Sequence, residues 1–272
     1  MTAQTAARAR WQPSSLVLGS VGLHIGAAAA LVIAPGQWPS AAGTIIANHL
    51  LITAAGLWPR SRLLGPNLLR LPPSAAQRNE IALTIDDGPE PEITPRVLDL
   101  LDAYRARATF FCIGEVALRH RDLCAEIARR GHAVENHSQR HRHSFSLSGL
   151  GGFEREIAAA QETLAAITGV VPAFFRAPAG LRNPFLDPIL FKLGLRLATW
   201  TRRGFDTVTR DPDVVTARLL RKLAPADILL LHDGHAARAA TGAPVILEVL
   251  PRVLDACAAR GLHSVTLREG TA

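Results

Sequence analysis

Hydrophobic and polar positions divide this chain in two. Leu16 to Pro35 is uncharged, with His24 its only ionisable residue, and Trp38 to Trp58 is also uncharged, with Asn48 and His49 near its middle. Each run is about as long as a helix needs to cross the hydrocarbon core of a bilayer. Only Pro35-Gly36-Gln37 separates them, and Trp11, Trp38 and Trp58 stand where interfacial aromatics belong. The pattern predicts a membrane-associated apolar helical hairpin over residues 1–62 and a basic, proline-marked linker over 63–79. A secretory signal followed by an apolar core helix would share the first of these features. The length of the second run, with Arg60 and Arg62 directly behind it, favours two spans.

From Glu80 onward the pattern changes to short apolar runs alternating with helical stripes. Ile81–Ile85, Ala108–Ile113, Ala133–Glu135, Ala173–Phe175, Leu195–Trp200, Ile228–Leu231 and Ser264–Leu267 read as strands. Ile93, Val97, Leu100 and Tyr104 form a helical stripe; Val116, Leu123 and Ile127 form another. Further stripes run from Ile157 to Ile167, from Val215 to Leu223 and from Ile246 to Cys257, with a short helix over Pro184–Leu193. Gly131, Gly169, Gly194 and Gly261 each close a helical stretch, the position at which a left-handed residue ends a helix. Seven strands alternating with helices predict an α/β fold over residues 80–272, built on a parallel sheet in a closed or nearly closed barrel.

Charge sharpens the division. Residues 1–79 hold six arginines and no acidic residue, while the 24 basic residues beyond them face all 23 acidic ones. The net charge of +7 is therefore almost wholly N-terminal. A nucleic-acid-binding domain would carry its basic patch on the folded part, so nucleic acid is excluded as a partner; a basic segment beside anionic lipid fits. Three cysteines, Cys112, Cys124 and Cys257, lack CxxC spacing and read as buried small side chains in a reducing compartment.

In parallel α/β folds functional groups collect where strands end. The first strand ends in Asp86-Asp87-Gly88-Pro89, the third in Asn136-His137-Ser138-Gln139-Arg140-His141, and the fourth in Arg176-Ala177-Pro178-Ala179-Gly180. The fifth leads to Asp206 and the sixth ends in His232-Asp233. Adjacent carboxylates repel unless a cation lies beside them, although Asp-Asp-Gly-Pro also serves as a plain turn. His137 and His141 stand at the spacing that one helical turn brings to one face; with one aspartate they would form a two-histidine, one-carboxylate metal site. His132 and His143 leave open which imidazoles bind. His232 is a candidate general acid, and Arg176 suits either an ion pair or a positioning role.

The ordered set TIDDG, HSQRH, RAPAG, a later Asp206 and LLLHD resembles the five motifs of the NodB-homology polysaccharide deacetylases, carbohydrate esterase family 4. The likeness spans Ile81 to Leu267. It implies a distorted (β/α) barrel and hydrolysis of an N-acetyl group on an amino sugar. By that likeness Asp86 would be the general base, and Asp87, His137 and His141 would hold a divalent metal, most often zinc. Arg176 would orient the base, Asp206 would support the acid, and His232 would protonate the leaving amine. The chain departs from the family at Ala179, where an aromatic residue is common, and at Thr207, where a tryptophan often follows the aspartate.

Two other readings use the same residues. A metal-dependent phosphoester hydrolase would want a second metal cluster, which the sequence does not offer. A non-catalytic membrane protein that binds glycans would be expected to have lost Asp86 or His232, and both are present. Arg8, Arg10, Arg60 and Arg62 flank the hairpin while its turn is uncharged, so the positive-inside bias puts both flanks, and the catalytic domain, on the cytoplasmic side of the inner membrane. The expected partners are then the membrane and an N-acetylated glycan or lipid-linked amino sugar.

Overall fold

The computed structural model describes residues 10–272; Arg8 lies outside them. Two helices, α1 (Ser15–Ile33) and α2 (Trp38–Leu57), form the expected hairpin around a short turn at Pro35–Gln37. By length and composition both could cross a membrane, with mean hydropathies of 2.2 and 1.3. Their outer faces expose Leu18, Val21, Ile25, Ile46 and Leu50. Between the helices the Asn48 amide donates to Ser20 Oγ at 2.8 Å, and both residues are buried. Such a polar contact between two otherwise apolar helices fixes their register.

The remaining chain forms an eight-stranded, wholly parallel sheet. The strands are β1 (Glu80–Asp86), β2 (Ala108–Cys112), β3 (Ala133–Asn136), β4 (Phe174–Phe175), β5 (Arg196–Leu197), β6 (Arg202–Arg203), β7 (Ile228–His232) and β8 (His263–Val265). Seven run in the order β5-β4-β3-β2-β1-β7-β6, and β8 pairs with the first half of β1. All seven expected strands are present. The additional one is β6, whose two arginines carry no apolar signature. Around the sheet lie α3 (Pro73–Gln77), α4 (Thr94–Ala103), α5 (Gly114–Arg119), α6 (Arg121–Arg129), α7 (Leu150–Thr168), α8 (Leu186–Lys192), α9 (Pro212–Leu220), α10 (Val245–Ala258) and α11 (Leu267–Gly270). The stripe through Val116, Leu123 and Ile127 is split between α5 and α6 at His120.

Strand alternation decides what faces the site. In β1, Ile81, Leu83 and Ile85 pack outward against α4 and α10, while Ala82 belongs to the inner cluster with Phe111, Trp200 and Leu230. A period of two then carries Thr84 and Asp86 inward as well. In β7 the same phase sends Leu229 and Leu231 outward and Ile228, Leu230 and His232 inward. The apolar pattern that builds the outer core thus aims the terminal Asp86 and His232 into the barrel.

Residues 63–79 are packed onto the barrel. Leu64, Leu71 and Ala75 are buried, and Leu68 pairs in parallel with Ala198 beyond β5. Arg70 forms an ion pair with the buried Asp227 at 2.7 Å. Both ends of the hairpin are also fixed to the barrel: Trp11 Nε1 donates to Asp187 Oδ2 on α8 at 2.7 Å, and Arg182 N donates to the carbonyl of Gly56 at 3.1 Å.

Candidate active site and metal centre

Five of the residues singled out from the sequence line one pocket of about 480 Å³ at the carboxyl ends of the strands, and Arg176 and Asp206 stand buried behind Asp86 and His232. Its lining includes Asp86, Asp87, His137, His141 and His232, with Ala177, Ala179, Gly180 and Trp200 along one side. That volume suits a sugar residue.

Asp86 ends β1 in its inward phase and is tied by Arg176. The Arg176 guanidinium is fully buried; it donates to Asp86 Oδ1 at 2.7 Å, to Thr84 Oγ1 at 2.8 Å, and to the carbonyls of Ala198 and Thr199. Burial pushes this guanidinium below its ordinary pKa and the Asp86 charge opposes the shift. The group stays ionised, so it is a permanent cation beside the carboxylate pair. Phe111 lies under it at 4.1 Å. Arg176 thus supplies the charge that two adjacent aspartates require.

Asp87 is turned toward the same space by a left-handed backbone (φ 77°), so the bend begins at this residue, ahead of Gly88-Pro89. Its Oδ1 lies 3.2 Å from His137 Nε2 and 3.3 Å from His141 Nε2. The expected helical turn is absent: His137 to His141 is a loop with left-handed residues at Ser138 (φ 67°) and His141 (φ 50°). The two imidazoles converge by that loop geometry, with ring centroids 4.7 Å apart. Of the other histidines, His132 is buried where its Nδ1 accepts from Ala108 N, and His143 is exposed on the pocket wall.

Three observations test whether these residues suit a cation. His137 Nδ1 lies 2.8 Å from the carbonyl oxygen of Arg176, which can only accept, so Nδ1 carries the hydrogen and Nε2 presents a bare lone pair. Asp87 Oδ1 is buried and has no hydrogen-bond partner despite the nearby imidazoles. The three donor atoms lie within 4.8 Å of one another and form the one such cluster among the described residues. Burial above all pushes His141 down to about 4, so its ring is neutral at physiological pH. Burial opposes ionisation of Asp87, but His137 and His235 outweigh it and hold the carboxyl well below its usual range. Two imidazoles and one carboxylate fit a divalent metal.

Across the pocket, His232 ends β7 beside Asp206, which follows β6. The His232 Nδ1 lies 2.9 Å from Asp206 Oδ1, and its backbone N–H donates to Oδ2 at 2.7 Å. Burial alone would lower the pKa of His232; the Asp206 charge and hydrogen bond outweigh it, and the net shift is upward.

Three further residues of the site went unassigned in the sequence. Asp233 is fully buried, accepts from Thr94 Oγ1 and its neighbour's Gly234 N–H, and is pushed up to about 7, chiefly by burial. It ties the end of β7 to the start of α4. His235 places Nδ1 3.3 Å from Asp87 Oδ2. Arg203, on the unexpected β6, lines the pocket. The spacing of His232 and His235 could have drawn attention to the latter; nothing in the apolar pattern marks Arg203.

The chain is also similar to several known proteins. The sequence profile of the family described as polysaccharide deacetylase matches residues 74–198, ending before β6 and β7. A peptidoglycan-N-acetylglucosamine deacetylase of Bacillus cereus is 31% identical over 191 residues, 70% of this chain and 86% of the relative. A chitooligosaccharide deacetylase of Azorhizobium caulinodans is 33% identical over 158 residues, 58% of this chain and 75% of the relative. Among solved structures, a family 4 carbohydrate esterase from Streptomyces lividans, in complex with acetate, matches with a TM-score of 0.62 at 29% identity, over 71% of this chain and 96% of that one.

Proposed function

This chain belongs to the polysaccharide deacetylase family, and from that premise we propose that it is a metal-dependent hydrolase that removes N-acetyl, or other N-acyl, groups from amino sugars of a polysaccharide or lipid-linked glycan. The observation that carries the reading is the meeting of Asp87, His137 and His141 around one point beside Asp86. A divalent cation held by these three, zinc by the usual preference of such ligands, supplies the Lewis acidity that polarises an amide carbonyl.

The residues of the chain do the rest. Asp86, steered through Oδ1 by Arg176, takes a proton from the attacking water as the new O–C bond forms. The backbone N–H of Ala179, whose left-handed conformation (φ 54°) puts it on the pocket wall, donates to the developing oxyanion. His232, charged and held through Nδ1 by Asp206, gives a proton to the nitrogen as the C–N bond breaks. The products are a carboxylate and a free amine. Acetate or formate release from a panel of N-acylated glycans and lipid-linked sugars, with metal analysis of the same sample, tests the reading. Hydrolysis that persists in metal-free protein would sink it.

The hairpin is read as a membrane anchor, with residues 1–62 in or at the inner membrane, 63–79 joining them to the barrel, and the barrel on the cytoplasmic face. The apolar outer faces of α1 and α2 support this, as does the fixing of both hairpin ends to the barrel, which keeps Arg10, Arg60 and Arg62 on the barrel's side. A lipid-linked amino sugar is then within reach at the inner leaflet.

A further inference from the structure

Arg203 has no role in the reaction just described, and it has no anionic partner among the described residues. It lines the pocket half-buried, and its Nε is buried with no hydrogen-bond partner. None of the ion pairs among the described residues includes it. The guanidinium is held by two ring faces, 5.3 Å from the centre of Trp200 and 4.8 Å from that of Phe205. Partial burial of a cation with no counterion costs free energy, which an incoming anion would recover. In register, Arg203 pairs with Leu230, two residues before His232, so its backbone lies one strand over and about 7 Å along the strand direction from that of the acid.

The same wall of the pocket leads to the membrane anchor. A Cβ on Gly180 would lie 2.7 Å from Pro59 Cβ, just past α2, and 2.7 Å from the ring of Trp200. Arg60 Nη1 donates to the carbonyl of Thr201 at 3.4 Å. Pro59, Gly180, Trp200 and Arg203 therefore form a continuous path from the end of the hairpin to the unpaired cation. An anionic group bound at Arg203 would sit between the reacting amide and the lipid-facing helices.

We propose that Arg203 binds the phosphate of an N-acylated amino sugar phosphate whose lipid carrier lies in the bilayer beside the hairpin. The inference rests on the deacylase reading above and narrows its substrate class. The amide at C2 and the phosphate at C1 stand on neighbouring carbons of one ring, so one sugar spans His232 and Arg203. An arginine fork meets two phosphate oxygens at once.

Full-length protein in detergent would be assayed for acetate release on three substrates that share one N-acetylated sugar: a polyprenyl-phosphate-linked form, the soluble sugar 1-phosphate and the uncharged methyl glycoside. Wild type should favour both phosphates over the glycoside, with the lipid-linked one having the lowest KM. Arg203→Gln should lower that preference about 10- to 100-fold, mainly through KM, as loss of a hydrogen bond to a charged group implies. Arg203→Lys, which keeps the charge and loses the fork, should fall between. A preference unchanged in both variants, or a wild type indifferent to phosphate, overturns the proposal. Equal KM for the two phosphates overturns the lipid carrier. A wild type inactive on all three removes the deacylase reading itself, and this inference with it.

Discussion

At the scale of single residues, the site separates three duties that a substitution can tell apart. In the proposed reaction Asp86→Asn removes the base, whose nearest cation is Arg176, so turnover should vanish while metal content stays near wild type. His137→Ala and His141→Ala remove ligand atoms and should lose metal and activity together. Acetate release and metal content measured on the same preparations check both, and residual activity in Asp86→Asn would reassign the base. His232 gives a pH signature. As the proposed acid it acts when protonated, so activity should fall as pH rises through its pKa, which Asp206 holds up against burial. Asp206→Asn should move the alkaline limb of the kcat profile to lower pH, and His232→Ala should lower kcat about 10²- to 10⁴-fold. A limb that stays put in Asp206→Asn would detach the aspartate from the acid. That these side chains gather in one place was legible in the sequence because each ends a strand or follows one within a few residues. Arg203 and His235 were not, since an arginine in a two-residue strand and a histidine past a strand end look like solvated surface.

At the scale of elements, the strand pattern was readable wherever an apolar run marked it. β1, β2 and β7 are buried along nearly their whole length and match their expected ranges to within a residue. β4 and β5 are shorter than their apolar runs, and Leu267 belongs to α11 instead of the last strand. The His137–His141 spacing suggested a helix, yet the loop achieves the same convergence through two left-handed residues; an interval of four constrains reach but does not name the backbone that provides it. The join between β1, β7 and α4 is tight in a way no pattern announces. A Cβ on Gly88 would collide with the Asp233 carboxylate, which is itself bonded to Thr94. Gly88→Ala should therefore destabilise the fold by about 1–3 kcal/mol, the usual cost of overpacking. Thermal or urea unfolding would read this, and a variant as stable as wild type would mean the join relaxes freely.

At the scale of the whole molecule, the division between an apolar, arginine-flanked N-terminal segment and a charge-balanced remainder was plain in the sequence, whereas the attachment of one to the other was not. A proline-marked basic stretch looks like a tether; here Leu64, Leu71 and Ala75 are buried against the barrel and Arg70 pairs with Asp227. A C-terminal fluorescent fusion should be bright and a C-terminal alkaline phosphatase fusion silent, as the cytoplasmic reading requires; the reverse pattern would place the barrel outside. The two feet of the hairpin, at Trp11 on Asp187 and at Gly56 on Arg182, have a consequence for kinetics. With the hairpin in the bilayer, as proposed, a barrel held at both feet would not swing freely above it, and enzyme and lipid-borne sugar would meet by lateral diffusion in a plane. Turnover would then follow the number of substrate molecules per unit of membrane area instead of per litre, and would slow by surface dilution when inert lipid is added at constant bulk concentration.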